Sequence, residues 1–470
     1  MLKYTATGCR ARARLVLGLC ALAALTAHAQ VSDPGVRKAS GDGGPPPTLP
    51  GLTAEDLVFF QDGLARFTTI EAVSGSLAGN NGLGPRFNSN QCSSCHSQPF
   101  VGGSSPAANP LFGVANADGA SNQMPWFIAR NGPVREARFV QSNGAPDGGV
   151  HDLFVITGRT DAGSCNISQP SFLPAGNPVT GQGGNSNVIF RIPTPTLGAG
   201  LIEAIPDSVI LANQAANSST KQRFGVAGHP NAILGGTVNR SANDGTITRF
   251  GWKAQNKSLL MFAGEAYNVE MGISNDLFPQ ERDETPNCRG GTAAPNDTIN
   301  IPSPSAPPSP TAVLSDIEGF AMFMRMLAPP RPAAPTASSQ HGSVVFASVG
   351  CALCHTPVLN TGPTPSARLP GAAVSNVQVP LFSDLLVHHM GTGLADGITQ
   401  GGAGPDEFRT APLWGVGQRV FFLHDGRAGN LLQAIRFHAS SGSEANQIVQ
   451  NFAALSPEEQ QDLINFLRSL

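Results

Sequence analysis

The chain contains the same short pattern twice, once in each half. In each copy, two cysteines are separated by two residues and followed directly by a histidine: Cys92, Cys95 and His96 in the first copy, Cys351, Cys354 and His355 in the second. The residues around the first copy, GPRFNSNQCSSCHSQPF, are rich in Gly, Asn and Ser and could not form a hydrophobic core by themselves. We therefore expect a bound group to organise the chain around each copy.

Three kinds of site contain two cysteines at this spacing. A redox-active dithiol does not need the adjacent histidine and is expected within a βαβ unit. A zinc site needs four sulfur or nitrogen ligands close together, and no second cysteine pair lies within about fifty residues of either copy. Cys-x-x-Cys-His is typical of c-type haem attachment, where two thioethers hold the porphyrin and the histidine binds iron. The sequence predicts two covalently bound haem c groups, with His96 and His355 as proximal ligands.

Residues 1–29 have the features of a secretory signal peptide. Basic residues precede the apolar run LVLGLCALAAL, which is too short to span a bilayer, and AHA at 27–29 has the small residues of a cleavage site. We expect a periplasmic or secreted mature protein without a membrane span. In an oxidising compartment, the remaining cysteines, Cys165 and Cys288, could form a disulfide, and the sequence leaves this open.

Composition limits the classes of fold and partner. The net charge is −3 and only 13 % of residues are charged, so there is no basic surface for nucleic acid. A length of 470 residues suggests more than one domain, and 54 Gly and 39 Pro indicate many loops. We expect a mainly α-helical protein with long loops and a few short strands, organised as two cytochrome c-like haem domains.

Segments rich in proline and glycine suggest where these domains begin and end. The expected divisions are a flexible leader at 30–51, an N-terminal haem domain at 52–330 with a Pro/Ser-rich excursion at 288–312, and a C-terminal haem domain at 331–470. Helices are predicted in TAEDLVFFQDGLARF, where Thr53 can cap and Asp56 lies three residues on, in VLSDIEGFAMFMRML and HGSVVFASVG, and in LSPEEQQDLINFLRSL, where Ser456 and Glu459 form a capping box. Short strands are predicted in DLFVITG and NVIFRIP.

Several stretches together resemble one family of enzymes. They are GLIEAIPD at 200–207, FGWKA at 250–254, FSDLLVHHMG at 382–391, FRTAPLWG at 408–415 and LHDGRA at 423–428. Over about residues 55–470 the chain is similar to di-haem oxidoreductases, which are related to the bacterial di-haem cytochrome c peroxidases and MauG. The resemblance implies reduction of H₂O₂ at the N-terminal haem, with electrons passing through the C-terminal haem from a cytochrome or cupredoxin donor. Whether Ca²⁺ lies between the domains stays open.

The resemblance also implies roles for individual residues. In the family, the sixth ligand of the C-terminal haem is a methionine about fourteen residues after the FHDG histidine. Here that spacing leads from His424 to His438, so an imidazole would replace the thioether. Met390 is the alternative ligand, and His424 itself is expected to make a structural hydrogen bond near this haem. Trp252 matches a tryptophan between the haems. Glu270 matches a glutamate above the N-terminal iron, where it would take a proton from bound H₂O₂ and return it to the leaving oxygen.

Simpler roles for these side chains are also possible. Trp252 could be a packed core residue, and Glu270 could pair with Arg282. Arg409 and Arg427 could bind haem propionates, because guanidinium groups match carboxylates in geometry. Residues 255–266 are expected to form the helix that connects Trp252 to Glu270.

Two other functions fit the same motifs. One is a pure electron carrier, in which both irons have two protein ligands and Glu270 has no chemical role. The other is a dioxygenase similar to the di-haem rubber oxygenases, which use O₂ at an open N-terminal haem.

Overall fold

The computed structural model describes residues 30–39, 41–74, 82–172, 188–232, 247–280, 282–283, 285–288, 294–300, 309–364 and 370–470. The predicted signal peptide at 1–29 lies outside these residues, as do positions 289–293 and 301–308 of the predicted excursion. Within the described ranges, no helix combines the length and the apolarity needed to cross a bilayer.

Helices joined by long loops make up most of the fold, as the sequence predicted. In chain order the helices are α1 (Ala54–Thr68), α2 (Cys92–Cys95), α3 (Leu111–Val114), α4 (Ala199–Glu203), α5 (Asp207–Ala215), α6 (Ser218–Phe224), α7 (Leu259–Met271), α8 (Asp316–Met326), α9 (Ala337–Val349), α10 (Gly391–Leu394), α11 (Leu431–Phe437), α12 (Asn446–Ala454) and α13 (Pro457–Ser469). Short 3₁₀ turns lie at Ala117–Gly119, Cys351–Leu353, Ala372–Val374 and Val416–Gln418.

The strands are short and pair in small antiparallel sheets. They are β1 (Arg86–Phe87), β2 (Glu136–Phe139), β3 (Gln141–Ser142), β4 (Ala145–Pro146), β5 (Val150–His151), β6 (Phe154–Val155), β7 (Val188–Arg191), β8 (Asn231–Ala232), β9 (Ile247–Thr248), β10 (Leu359–Asn360), β11 (Gln378–Val379), β12 (Val387–His389) and β13 (Glu407–Arg409). Strand β2 is central in the sheet β5-β2-β7, and the other strands pair as β1-β6, β3-β4, β8-β9, β10-β11 and β12-β13. The strands predicted in DLFVITG and NVIFRIP are β6 and β7.

Capping explains where the first and last helices begin. The Thr53 side chain accepts a hydrogen bond from the Asp56 backbone at the start of α1, and Ser456 accepts one from Glu459 at the start of α13. In both cases the acidic side chain bonds back to the capping residue, which satisfies two backbone donors that a helix start otherwise leaves free. Both predicted capping boxes are confirmed.

The helix expected over 255–266 is displaced towards the C-terminus. Ser258 caps α7 by accepting a hydrogen bond from the Met261 backbone, so the helix begins at Leu259 and continues to Met271. Glu270 therefore lies in the last turn of α7, and its position is fixed by a regular helix.

The first motif is supported by the crossing of α1 and α8. A side chain at Gly63 would collide with the backbone carbonyl of Gly319, so glycine allows the two helices to approach closely. Close to the crossing, the rings of Phe67 and Phe323 pack with centroids 4.9 Å apart, and the Phe67 ring lies 6.1 Å from His96. The helix pair thus places an aromatic wall beside the first histidine.

The second motif is supported in the same way by α9 and α13. A side chain at Gly342 would collide with the backbone of Asp462, so these helices also cross at a glycine. Phe346 packs on Phe466 with centroids 5.4 Å apart and lies 6.4 Å from the ring of His355. Each histidine therefore has the same setting, a helix crossing with a phenylalanine at its edge.

Residues 30–51 differ from the flexible leader that the sequence suggested. Asp33 forms a salt bridge of 2.7 Å with Arg468, and Arg37 Nε donates to the Arg468 carbonyl at 2.9 Å. Leu49 is buried in the first core. The described part of this segment is thus held against α13 and the first core, because its charged and apolar side chains find buried partners there.

The two large apolar cores do not follow the predicted division at residue 331. The second core is built from α9, α13 and the chain around α11 and α12. The first core contains α1, α7 and α8 but also apolar residues that follow the second motif: Leu359, Val379, Leu381, Leu385 and Leu386. The division into two haem domains therefore stays a prediction.

The pairing that the sequence left open is present. Cys165 and Cys288 form a disulfide with an S–S distance of 2.09 Å, and both residues are buried. The bridge joins two segments that are 123 residues apart in the chain.

Candidate functional site

Each Cys-x-x-Cys-His motif lines a large cavity of its own. The first cavity has an empty volume of about 1210 Å³, mouth included, and is lined by Cys92, Cys95 and His96. The second has about 1390 Å³ and is lined by the second motif: Cys351, Cys354 and His355. All four of these cysteines have free thiols and are half-buried because they face the cavities.

The first motif is held by a single helical turn and by the end of α7. The backbone N–H groups of Asn88 and Ser89 donate to the Glu270 carbonyl at 2.7 and 3.1 Å, so the chain before the motif is tied to α7. His96 Nδ1 lies 3.1 Å from the Gly103 carbonyl. A backbone acceptor at Nδ1 fixes the neutral tautomer that leaves Nε2 free as a ligand.

The second motif follows α9 directly. The helix ends at Gly350, whose φ of 107° is accessible to glycine but strained for other residues, and the 3₁₀ turn at Cys351–Leu353 begins at once. His355 Nδ1 lies 3.0 Å from the Phe382 carbonyl, so this histidine is oriented like His96. Burial lowers the pKa of His355 to about 4, which keeps the imidazole neutral, as iron coordination requires.

His438, the expected sixth ligand, lines the second cavity together with His355. Its Nδ1 lies 2.6 Å from the Ala434 carbonyl, and burial lowers its pKa. Burial and the proximity of His438 both lower the pKa of His355. In the described structure, the Nε2 atoms of His96, His355 and His438 have no hydrogen-bond partner, so each is available to a metal.

Met390, the alternative ligand, also lines the second cavity. Its backbone N–H donates to the Asp406 carbonyl at 2.8 Å. Both candidate ligands thus border the same space, and the roles of His438 and Met390 stay predictions.

Trp252 lines both cavities. Its side chain is buried, and its indole N–H donates to the Ile192 carbonyl at 2.9 Å. It packs with Ile192, Leu394 and Phe408 in a small apolar cluster. Trp252 is a packed core residue, and its position between the cavities also suits the expected relay of electrons.

Glu270 lines the first cavity and does not pair with Arg282, which forms its salt bridge with Asp152 at 3.1 Å. The Asn88 side chain donates to Glu270 at 2.9 Å. The carboxyl group of Glu136 lines the same cavity and acts electrostatically on Glu270. Burial, followed by the negative charge of Glu136, raises the pKa of Glu270 well above its usual value.

The pKa of Glu136 shifts in the opposite direction, because the effect of its cationic neighbours outweighs the effect of its burial. Arg138 donates to Glu136 at 2.7 Å, and Arg138 and Arg191 together lower the pKa of Glu136. Arg191 is itself held by Asp396 at 2.7 Å. The two shifts favour the ionised form of Glu136 and the protonated form of Glu270.

Glu136, Arg138 and Arg191 were not predicted as site residues. The stretch VREARFV, residues 134–140, places several charges in a short strand of a chain that has few charged residues. Such a strand, with its charges buried, is a signal for a functional site. Glu270, which acts on Glu136, and Asp396, which pairs with Arg191, come from distant segments. These two relationships could not be found from the sequence.

Two buried arginines suit an anionic group in the second cavity. Arg409 and Arg419 line this cavity and are buried, and burial lowers the pKa of each to about 10. Arg409 Nη1 and Arg419 Nε and Nη2 are buried without a hydrogen-bond partner among the described residues. A buried cation without a partner is costly, so carboxylates of a bound group would complete the site. The sequence suggested Arg409 but missed Arg419.

Two other residues of this region differ from expectation. Arg427, also suggested as a propionate partner, bonds instead to Asp425 at 2.5 Å and to the Gly393 carbonyl at 2.6 Å. The His424 ring stacks on Phe408 with centroids 4.2 Å apart, so its contact is one of packing at the wall of the second cavity.

The residues present fit one haem in each cavity. Each cavity has two thiols at the attachment spacing, an oriented imidazole and largely apolar walls. The uncompensated arginines of the second cavity match the charge of the propionates. In the described ranges, no group of three or more His, Cys, Asp or Glu side chains is arranged to hold a separate metal ion such as Ca²⁺.

Comparison with known proteins gives a family and distant structural likenesses. A model of the family described as "Di-haem oxidoreductase, putative peroxidase" matches residues 183–470. None of the curated proteins matches the chain.

Solved structures similar to the chain include three redox proteins. Hydrazine synthase of Kuenenia stuttgartiensis is 21% identical over 34% of this chain and 56% of that chain, with a TM-score of 0.22. A MauG-like protein associated with microbial copper homeostasis is 18% identical over 33% of this chain and 52% of that chain, with a TM-score of 0.24. The diheme peroxidase BthA from Burkholderia thailandensis is 14% identical over 59% of this chain and 86% of that chain, with a TM-score of 0.27. The chain spans about half the length of the first two, and these TM-scores are too low to support an argument.

The family match begins later than the resemblance suggested. It includes Trp252, Glu270, the second motif and His438, whereas the first motif lies before it. Since the matched residues make up more than half of the chain, the protein belongs to the di-haem oxidoreductase family.

Proposed function

We propose that this protein is an exported di-haem c-type oxidoreductase that reduces H₂O₂ at the first cavity and receives electrons through the second. The observation that carries the proposal is the difference between the two cavities. The described lining of the second contains four imidazoles, including His355 and His438, whereas that of the first contains one imidazole, His96, and the carboxyl groups of Glu136 and Glu270.

The chain's own residues would hold the haem groups. Cys92 and Cys95 would form thioethers in the first cavity, and His96 would be the axial ligand. The second motif would hold the other haem, with His438 as its second axial ligand and Arg409 and Arg419 beside its propionates. When bound, the haem iron supplies the site where the O–O bond of peroxide is cleaved.

The carboxyl pair would move the protons of this reaction. Reduction of H₂O₂ to two water molecules consumes two electrons and two protons. Because the shifts favour an ionised Glu136 and a protonated Glu270, Glu136 can accept a proton from bound peroxide while Glu270 donates its own to the leaving oxygen. This relay is neutral in protons, so the two protons consumed would enter from solvent with the two electrons from the donor. Arg138 and Arg191 keep Glu136 ionised and therefore ready to accept.

Trp252 would carry electrons between the cavities, because its side chain borders both. Its buried indole is fixed by the hydrogen bond to Ile192. A fixed aromatic ring between two redox centres shortens the gap that an electron must cross.

The proposed export has two supports. The signal-like segment at 1–29 suggests passage out of the cytoplasm. The disulfide between Cys165 and Cys288 is typical of an oxidising compartment.

The pure electron carrier is the main competing function. It would require a sixth ligand in the first cavity, for which the lining offers Met271 or Met324. The carboxyl pair of Glu136 and Glu270 would then have no chemical role.

Consumption of H₂O₂ by the haem-loaded protein with a reduced electron donor tests the proposal. Glu270→Gln keeps the size of the side chain but removes the acid, and we expect the rate to fall by roughly 10²-fold or more. Glu458→Gln, at an exposed position of α13, is the control and should leave the rate unchanged. A wild-type protein that does not consume peroxide, or a Glu270→Gln variant with wild-type activity, would contradict the proposal.

A further inference from the structure

A third cavity lies on the outer side of the first haem cavity. It is open to the surface and has an empty volume of about 1240 Å³, mouth included. Its walls come from β2, β5, the turn before β5, α7 and the loop at 398–400. We call this space the outer cavity.

The outer cavity and the first haem cavity share a wall. Arg138, Glu265 and Val269 line both spaces. Glu265 and Val269 are one helical turn apart in α7, so they present neighbouring side chains on one face of that helix. These three side chains therefore form part of the wall between the two cavities.

Arg138 has contacts on both sides of the shared wall. Its Nε donates to Glu136 at 2.7 Å, and Glu136 lines the first haem cavity. Its Nη1 donates to the Gly148 carbonyl at 2.8 Å, and Gly148 lines the outer cavity. The carboxyl pair proposed to move protons is thus one side chain away from the outer cavity.

The charges that line the outer cavity balance. Three arginines face three carboxylates: Arg86, Arg138 and Arg282, and Asp147, Asp152 and Glu265. Arg282 pairs with Asp152 at 3.1 Å, and Asp147 pairs with His151 at 2.7 Å. A lining with polar groups but no excess of positive or negative charge neither attracts nor repels ions. Its polar groups can form hydrogen bonds with small neutral molecules.

We propose that the outer cavity is the route by which a small, uncharged, polar oxidant such as H₂O₂ reaches the first haem, and that Arg138, Glu265 and Val269 form its neck. This inference rests on the proposed function, because it requires the first iron to be accessible. It assigns to the outer cavity a role in delivery, distinct from the chemistry at Glu136 and Glu270.

Cyanide binding to the haem-loaded ferric protein tests the route independently of turnover. At neutral pH cyanide is present mostly as the small neutral molecule HCN, and its binding to an open haem is followed by absorption. Val269→Trp fills the neck, and Thr399→Trp fills the mouth from an exposed position that tolerates a larger side chain. Val344→Trp, at an exposed position of α9, is the matched control.

We expect Val269→Trp to slow cyanide association by about tenfold or more and Thr399→Trp to slow it less, with Val344→Trp at the wild-type rate. A barrier on the route slows association and dissociation equally, so the Kd should stay unchanged. A purely structural effect on the haem would change the association and dissociation rates unequally and would therefore change the Kd.

The outcomes separate the two proposals. If the wild-type protein does not bind cyanide at all, the first iron is not accessible and the proposed function fails. If the wild type binds cyanide and both tryptophan variants bind it at the wild-type rate, the route is elsewhere. Should Val269→Trp fail to fold, Thr399→Trp alone decides.

Discussion

The carboxyl groups of Glu136 and Glu270 both line the first cavity and interact electrostatically, although the two residues lie on β2 and α7, 134 positions apart in the chain. Their pKa values move in opposite directions, since Arg138 and Arg191 stabilise the ionised form of Glu136 while burial and Glu136 itself disfavour the ionised form of Glu270. The two shifts therefore favour a proton on Glu270 and a negative charge on Glu136, as in other carboxyl dyads with unequal surroundings.

The first prediction is that Glu136→Gln lowers the pKa of Glu270. The substitution removes the negative charge that raises this pKa, so Glu270 should lose its proton at lower pH. The rate of the peroxide reaction should be lower at every pH, because the proposed proton acceptor is lost, and the rate that remains, measured from pH 5 to pH 9, should begin to fall at a lower pH than in the wild type. An unchanged pH profile would mean that the two carboxyls are not coupled during the reaction.

Trp252 gives the second prediction. Trp252→Phe keeps a ring in the apolar cluster but removes the indole, so we expect electrons to pass from the second haem to the first roughly tenfold more slowly, a change of about 1.4 kcal/mol in the barrier. The measurement reduces the second haem, adds H₂O₂ and follows reoxidation of that haem by stopped flow. Trp126→Phe, at a position that is 41 % exposed, is the control. Equal rates in both variants would remove the relay role.

The third prediction separates the two candidate ligands of the second haem. His438→Gly should convert this haem from low-spin to high-spin, and added imidazole should restore the low-spin spectrum. Met390→Leu should leave the spectrum unchanged, as should His389→Gly, whose side chain is 52 % exposed. A high-spin spectrum in Met390→Leu with a normal spectrum in His438→Gly would reverse the assignment.

The fourth prediction concerns stability at alkaline pH. Burial, followed by the charge of Asp316, raises the pKa of Glu71 to about 8 from 4.5. Because the folded protein binds this proton more tightly than the unfolded chain, the residue makes stability fall as pH rises from 4.5 to 8. Glu71→Gln removes this dependence.

Glu71→Gln should therefore be more stable than the wild type at pH 8, by on the order of 3 kcal/mol, and about equal to it at pH 4.5. Thermal unfolding of both proteins at the two pH values measures the difference. Glu55→Gln, at an exposed position of α1, should show the wild-type dependence. A gain at pH 8 no larger than the gain at pH 4.5 would show that Glu71 titrates normally.

Local patterns in the sequence predicted the parts of the structure that depend on neighbouring residues. The capping signals of Thr53 and Ser456 identified the starts of α1 and α13. The family resemblance pointed to Trp252, Glu270 and His438, and all three line the cavities. The predicted start of α7 at residue 255 was wrong, because the cap at Ser258 sets the start at Leu259. Residues 255–257 contain no proline that would have indicated a break.

Contacts between distant segments could not be predicted in this way. Glu136 is on β2 and Glu270 on α7, so their pairing depends on how the sheet β5-β2-β7 packs beside that helix. The docking of Asp33 on Arg468 joins positions 435 residues apart. The role of Arg419 could not be predicted either, because its burial without a hydrogen-bond partner among the described residues is known only from the structure.

The most direct test of the central claim is the electron paramagnetic resonance spectrum of the purified ferric protein, recorded before and after addition of cyanide. The account predicts one high-spin haem, which cyanide converts to low-spin, and one low-spin haem, which cyanide leaves unchanged. Two low-spin haems that do not respond to cyanide, or a protein without haem signals, would contradict it.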